Sequence, residues 1–490
     1  MPYWITSFAD TSVKGRDLAE RGAETIQRVE PSYVQGGNPR AHLEFALRYE
    51  GINLEGLALL FPKMGPDVVA SWLKESPTSK YARRAGFLYE FLTGATLPVD
   101  DLQQGNYVPL LEPDEYFVAA PIREKRFRVD NNLPGTKAFC PLVRRTKLLA
   151  EIESRDLKAE VAKDLSQYDA DLLTRAANYL YIKETQSSYE IEREKPSQNR
   201  IQRFADLLRK QSDDKQPLTE DFFVGLQNQI IDERFREGAY RGRQNWIGES
   251  ATYRLPDFIP PRPDDVPDLM EGLAQYANRH LGKPEAIEPI ALTAAISFGF
   301  VFIHPFMDGN GRMHRFLIHK ILSSQEFTPK GFVLPVSAVM LANLQEYGQA
   351  LAAFSKVVMS RTNFSLDTPD IPANGNDAIH FRYFDATRQA EFLAKALVRT
   401  VEHDLEKEIR FLIAYDKAAK ELNDVFDWPK GDLSLFIGML HQNKGKLSKR
   451  KKDSKFAYLK DEEIQKFEEI FAEAFDAMFK NEQQKRNRPG

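Results

Sequence analysis

The stretch FIHPFMDGNGRMHRFLI, residues 302–318, gathers a base, an acid, a bare backbone turn and two guanidinium groups within twelve positions. His304 is an imidazole of ordinary pKa about 6.5, able to take a proton from an incoming hydroxyl. Asp308 is a hard oxygen ligand of the kind that shares Mg2+ with a di- or triphosphate. Gly309 and Gly311 flank Asn310, permit positive φ and admit close backbone approach. With a helix starting there, successive N–H groups form a concave site for an anion. Arg312 and Arg315 are three apart on that helix, so they share a face and can clamp phosphate oxygens. Each feature alone has a plain explanation: a capping histidine, a turn, a solvated arginine face. Together they point to transfer of a phosphorus-centred group onto an alcohol or phenol.

The flanking sequence supplies elements to deliver these groups. The apolar run IALTAAISFGFVFI at 290–303 reads as a buried helix that ends at His304, where Pro305 discourages continuation. RMHRFLIHKIL forms the next helix; His314 and His319 fall on its other faces and read as structural, and Phe306 reads as the core anchor of the turn. Around 240–262 two short apolar–polar segments flank GES, the pattern of a β-hairpin with a loop longer than two residues, closed by Pro260, Pro261 and Pro263. DDVPDLMEGLAQYANRHL is a capped amphipathic helix, and 332–361 reads as further helix. The glycine-free run from EIESRDLKAEV to SSYEIER reads as a long charged helical stretch with a stop expected at Pro196. The chain is therefore expected to be mainly α with one small hairpin. It divides into a helical and loop region at 1–150, a helical region at 151–239, a core with the hairpin at 240–365, and a helical C-terminal region at 366–490.

The turn resembles the active-site motif of Fic-domain proteins, HPFx(D/E)GNGRxxR, at every fixed position of HPFMDGNGRMHR. That resemblance implies a helix-loop-helix in an all-α core and transfer of AMP from ATP to a Tyr, Thr or Ser hydroxyl of a protein target. It implies His304 as general base, Asp308 as Mg2+ ligand, and Gly309, Asn310 and Gly311 as the anion cradle. Arg312 would hold the transferred end of the nucleotide and Arg315 its γ-phosphate. The hairpin would be the family's flap, whose edge pairs with a target's backbone; Asn245, Trp246, Ile247 and Gly248 are the expected docking residues. VSAVMLANLQEYGQAL resembles the helix that follows the family core, with Asn343 and Tyr347 lining a nucleoside pocket. Upstream, SSYEIEREKPS resembles the family's inhibitory motif, (S/T)xxxE(G/N). Ser188 and Glu192 fit, while Arg193 stands where Gly or Asn is usual. A carboxylate on Arg315 would withdraw the guanidinium from the γ-phosphate and repel that phosphate. This placement implies the class with an N-terminal inhibitory helix.

The totals bound the alternatives. With 490 residues the chain holds two to four domains, and 42% hydrophobic with 28% charged residues at net −4 argues against a bulk polyanion binder. One cysteine, Cys140, excludes an intramolecular disulfide framework and a thiolate metal cluster. The N-terminal residues lack a signal pattern, and the longest apolar run falls short of the roughly 20 residues that span a bilayer. A cytoplasmic protein with no membrane partner is expected; self-modification and a homo-oligomer are compatible with it. The basic segment NKGKLSKRKKDSK precedes a helix, as in a winged-helix-like module contacting nucleic acid, although such charge runs are most often solvated. Rival functions are the removal of AMP from modified proteins, phosphotransfer on the same fold, and a regulatory module that binds nucleotide or DNA without turnover.

Overall fold

The apolar run is the hub. A computed structural model of the chain describes residues 5–21, 24–33, 37–211, 216–248, 256–365, 372–429 and 431–486. In it Pro289–Ile303 is a helix, and every residue from Ile290 to Ile303 is buried. A helix hydrophobic on all sides has to be enclosed by others. Val266–His280 packs along it and Asn310–Ser324 folds back against it. Glu220–Ile230 and Gln198–Lys210 pack against Asn310–Ser324 in turn. The end of the hub helix is wedged by rings: Phe302 stacks on Phe354 with centroids 4.2 Å apart, and Phe384 meets both. That packing fixes where His304 emerges.

By contact clustering the chain forms two compact units: residues 1–159 with 181–398, and residues 160–180 with 399–490. The first holds the hub helix and, in its N-terminal part, a second core built from Leu43, Phe61, Trp72, Leu88, Leu110 and Leu133 among others. Cys140 belongs to that core; burial pushes its thiol up to about 12. In the second unit Phe436, Phe456, Phe467, Phe471 and Phe475 close on Ala414, Ala418 and Leu422. The described residues of this unit form helices and no strand.

The mainly helical expectation holds. The β content exceeds the one hairpin anticipated, with a three-stranded sheet of Ile5–Ala9, Arg16–Arg21 and Glu24–Val29, another of Val108–Pro109, Ile122–Glu124 and Val129–Asn131, and a short pair, Asn363–Phe364 with Ala373–Asn374. Strands of two to six residues leave too little periodicity to read. At the expected hairpin, Ile247 pairs with Phe258 as an isolated antiparallel bridge, and residues 249–255 of its loop lie outside the described residues. The long charged run is three helices, Lys147–Ser154, Leu157–Leu165 and Ala170–Ile191, with Asp156 at φ +50° in the first break. The 332–361 helix breaks at Asn343 into Val336–Ala342 and Leu344–Met359. Among the described residues no helix is long and apolar enough to cross a membrane.

Candidate active site

His304 closes the hub helix in the left-handed conformation, φ +51° and ψ +59°, with its N–H on Phe300 O at 3.0 Å. Its Nδ1 lies 3.2 Å from Val301 O. A carbonyl only accepts, so Nδ1 carries the hydrogen and Nε2 presents a lone pair. Burial lowers the imidazole pKa to about 4; Arg241 reinforces that shift, while the Val301 bond, Glu192 and Asp308 oppose it. The ring is a neutral base at pH 7.

Behind His304 the turn is braced at nearly every polar atom. Asn310 donates from Nδ2 to Phe306 O at 2.7 Å and accepts from Phe306 N–H at 3.1 Å, so its side chain staples the loop. The Phe306 ring is fully buried, against Tyr240. Glu237 accepts from Met307 N–H at 2.9 Å, and Asn245 Nδ2 donates to Phe306 O at 3.0 Å. Arg241 is buried; its guanidinium reaches His304 O at 2.8 Å and Pro261 O at 2.6 Å, and its backbone N–H binds Pro305 O at 2.8 Å. Gly309 sits at φ +94°, where a Cβ would also fall 2.8 Å from Ile231 Cγ2. The following helix begins at Asn310, and its first N–H groups lack intrahelical acceptors.

Both arginines are inside. Arg312, 4% exposed, donates to Asp308 Oδ1 at 2.8 Å and to Glu194 Oε2 at 2.6 Å. Arg315, 1% exposed, donates from Nε to Ser188 Oγ and from Nη2 to both Ser188 O and Glu192 Oε1, each at 2.8 Å. Its Nη1 is buried with no hydrogen-bond acceptor among the described residues. Burial, the largest influence, would raise the Glu192 carboxyl, but Arg315 together with Arg312 and His304 holds the group below the usual range. The carboxylate lies so close to Gly311 that a Cβ there would collide with it. Gly311 is itself helical, so its bareness serves close approach rather than positive φ.

The turn that delivers Glu192 ends the Ala170–Ile191 helix. Glu194 N–H reaches back to Tyr189 O at 3.1 Å and Arg193 N–H to Glu190 O at 2.9 Å, the pattern of a Schellman cap. Arg193 takes φ +56° there. That conformation favours Gly or Asn, a physical reason for the usual residue at this position. Deeper in the same helix, buried Glu184 accepts from His319 Nε2 at 2.6 Å and from Ser337 N–H at 2.8 Å, which pins the helix against the motif helix.

Residues 217–322 match the Fic/DOC family. The chain carries a Fic/DOC domain. Over 93 residues it is 36% identical to a protein adenylyltransferase Fic of Nematostella vectensis, a match covering 19% of each chain. It is 40% identical over 102 residues to a Fido domain-containing protein of Dictyostelium discoideum, covering 21% of this chain and 63% of that one. A crystal structure of a Fic family protein from Desulfovibrio desulfuricans G20 aligns with 62% of this chain and 90% of its own at 20% identity, with a TM-score of 0.40. The chain thus spans about a fifth of the length of the adenylyltransferase relative it matches.

Within and around the Fic/DOC domain, the predicted residues divide by position. Those of 304–315 converge with Ser188 and Glu192 on one site. Tyr347 is buried beneath it, its ring stacked 6.1 Å from that of His314; burial lifts its phenol to about 12 against the pull of Arg315. Asn343 sits at the helix break with its amide on Val339 O at 2.8 Å. Of the flap residues Ile247 is exposed, Trp246 and Gly248 are half-buried, and the Asn245 side chain faces inward onto the motif loop. His314 bonds Ser297 O at 2.8 Å, as befits a structural role. Sequence reasoning missed Glu194, Glu237 and Arg241. Nothing local marked them among the other charged residues of the chain.

Proposed function

We propose that this chain is a protein adenylyltransferase, moving AMP from ATP onto a Tyr, Thr or Ser hydroxyl of a target protein, and that Glu192 restrains it. The observation that carries this reading is a neutral His304, its Nδ1 fastened to Val301 O, beside a glycine turn and two buried arginines. In the proposed step the acceptor oxygen bonds to the α-phosphorus as the bond from that phosphorus to the α,β-bridging oxygen breaks. The hydroxyl proton passes to His304 Nε2, and pyrophosphate leaves. The amides of Gly309, Asn310 and Gly311 cradle phosphate oxygens, Arg312 holds the transferred end and Arg315 the γ-phosphate. The buried Nη1 of Arg315, without an acceptor among the described residues, supports this.

Asp308 is the residue that would hold Mg2+. It is 49% exposed, and among the described residues no cluster of three or more His, Cys, Asp or Glu side chains would cage an ion. A lone carboxylate suits an ion shared with substrate phosphates. Bound there, the ion would neutralise charge on the polyphosphate. Exposed Ile247 on the flap supports backbone pairing with the target, and Asn343 would border the nucleoside.

The restraint rests on geometry. With Glu192 on Arg315, a γ-phosphate loses its clamp and meets a like charge. The restraining residues precede the domain core in sequence, the arrangement of the class with an N-terminal inhibitory helix. The Nematostella vectensis relative, named a protein adenylyltransferase Fic, supports the transfer reading over the 93 residues matched. The test is incubation of the full chain with Mg2+ and ATP labelled at either the α or the γ phosphate. Protein carrying α label and no γ label is expected, more in Glu192→Gly than in the parent and none in His304→Ala; γ label on protein would mean phosphotransfer instead.

A further inference from the structure

Two residues beyond Glu192, the same turn carries a second carboxylate. Resting on the reading that this site takes a nucleoside triphosphate, we propose that Glu194 and Arg200 form a second latch, on Arg312, opened separately from the Glu192 contact on Arg315.

Glu194 is shared between two cations. Oε2 accepts from Arg312 Nη1 at 2.6 Å, and Oε1 pairs with Arg200 Nη1. Arg200 starts from the neighbouring Gln198–Lys210 helix and also approaches Ile230 O at 3.4 Å. Both guanidiniums lie over the Tyr189 ring, Arg312 at 5.4 Å and Arg200 at 5.2 Å from its centroid, and the Tyr189 hydroxyl donates to Ile230 O at 2.9 Å. Tyr189 is therefore a platform that holds the two cations within reach of one carboxylate.

This arrangement differs from the Glu192 contact in one respect. When Arg315 leaves Glu192 for a phosphate, that carboxylate loses its hydrogen-bonded partner. When Arg312 leaves Glu194, Arg200 remains. The second cation lowers the cost of opening, because Glu194 is never left without a counter-charge. Glu194 thus opposes nucleotide binding at Arg312, and Arg200 relieves that opposition. The Schellman turn makes the pair possible: with Arg193 in the left-handed conformation, Glu192 and Glu194 both face the motif helix.

The test is a double-mutant cycle in the full chain, read as Mg2+–ATP affinity by calorimetry in a His304→Ala background that cannot turn over. Glu194→Gln is expected to tighten binding about fivefold, the scale of one partly exposed ion pair. Arg200→Gln is expected to weaken it about threefold while Glu194 is present and to have almost no effect in the Glu194→Gln chain. Arg200→Met, which keeps an apolar stem over the Tyr189 ring without the charge, serves the same purpose if the glutamine variant melts early. Equal Arg200 effects with and without Glu194 would reduce the pair to background electrostatics and overturn the latch, as would an unchanged affinity in Glu194→Gln. Affinities that follow the cycle while no variant with His304 intact places α label on protein would sustain the latch and defeat the adenylyl-transfer reading. No ATP binding by any variant, Glu192→Gly/Glu194→Gln included, would defeat both.

Discussion

The loop 304–311 and the turn 191–194 face each other across the site and are held by different means. The loop is fixed by hydrogen bonds to its own backbone from Asn310, Glu237, Asn245 and Arg241, most of them buried. The turn is held to the motif helix through ionic contacts from half-exposed carboxylates, with Glu192 38% and Glu194 30% exposed. Bonds to a buried backbone have no substitute when broken. Ion pairs to a guanidinium have one, a phosphate. The first surface is built to stay, the second to be exchanged.

Removing the base should have the largest effect. His304→Ala is expected to lower labelled-AMP transfer by roughly 10²–10⁴-fold, the usual weight of a positioned general base, while Mg2+–ATP affinity by calorimetry stays within about twofold. On the fixed surface, Asn310→Ala strands the Phe306 N–H, leaves the Phe306 carbonyl to Asn245 alone, and should cost about 1–3 kcal/mol in urea unfolding of the Fic/DOC-bearing unit. On the exchangeable surface Glu192→Gly should leave that unfolding midpoint nearly unmoved and raise transfer about tenfold or more. If both substitutions shift stability equally, the contrast between the surfaces fails.

Acidity sharpens the comparison. The folded His304 stays neutral down to about pH 4, whereas its unfolded counterpart protonates at about 6.5. Between those values the unfolded chain binds the extra proton, so this residue's contribution to stability falls as pH drops through that window. Transfer should therefore show no ionisation step at about pH 6.5 and should decline only towards about pH 4. Glu192 is held below its ordinary value, so its contact persists above the usual carboxylate range and is lost only as pH falls through the lowered one. The ratio of Glu192→Gly to parent activity is expected to be flat from about pH 8 to about pH 5; a rise in parent activity alone near pH 6 would break the assignment. The smallest effect is at the cap. Arg193→Gly relieves a left-handed non-glycine residue and should stabilise the turn by about 1 kcal/mol, measured by hydrogen exchange at Glu194.

How much of this was legible follows from distance along the chain. His304, Asp308, the glycines and both arginines lie within twelve residues, so one helix start fixes their mutual geometry. Ser188 and Glu192 were readable through the resemblance to the inhibitory motif (S/T)xxxE(G/N), whose spacing of four puts both on one helix face, even though the helix itself stops at Ile191. Arg241 and Glu237 were not, since they reach the loop from more than sixty positions away and nothing local marks them among other charged residues. Asn310 illustrates a subtler gap. Its place in the turn was plain, but that its amide would bind the Phe306 backbone twice depends on how the chain doubles back. The N-terminal sheets escaped for lack of length, and the break at Asn343 because its two helices share an apolar pattern.

The inert thiol in the N-terminal core has a practical sequel. Cys140 is fully enclosed and resists ionisation, so the native chain should not react with maleimides. Met307, the motif's variable position, is 44% exposed at the rim of the loop. A Met307→Cys chain would accept a single fluorophore, and its emission would track docking of nucleotide or target from a vantage point that takes no part in the chemistry.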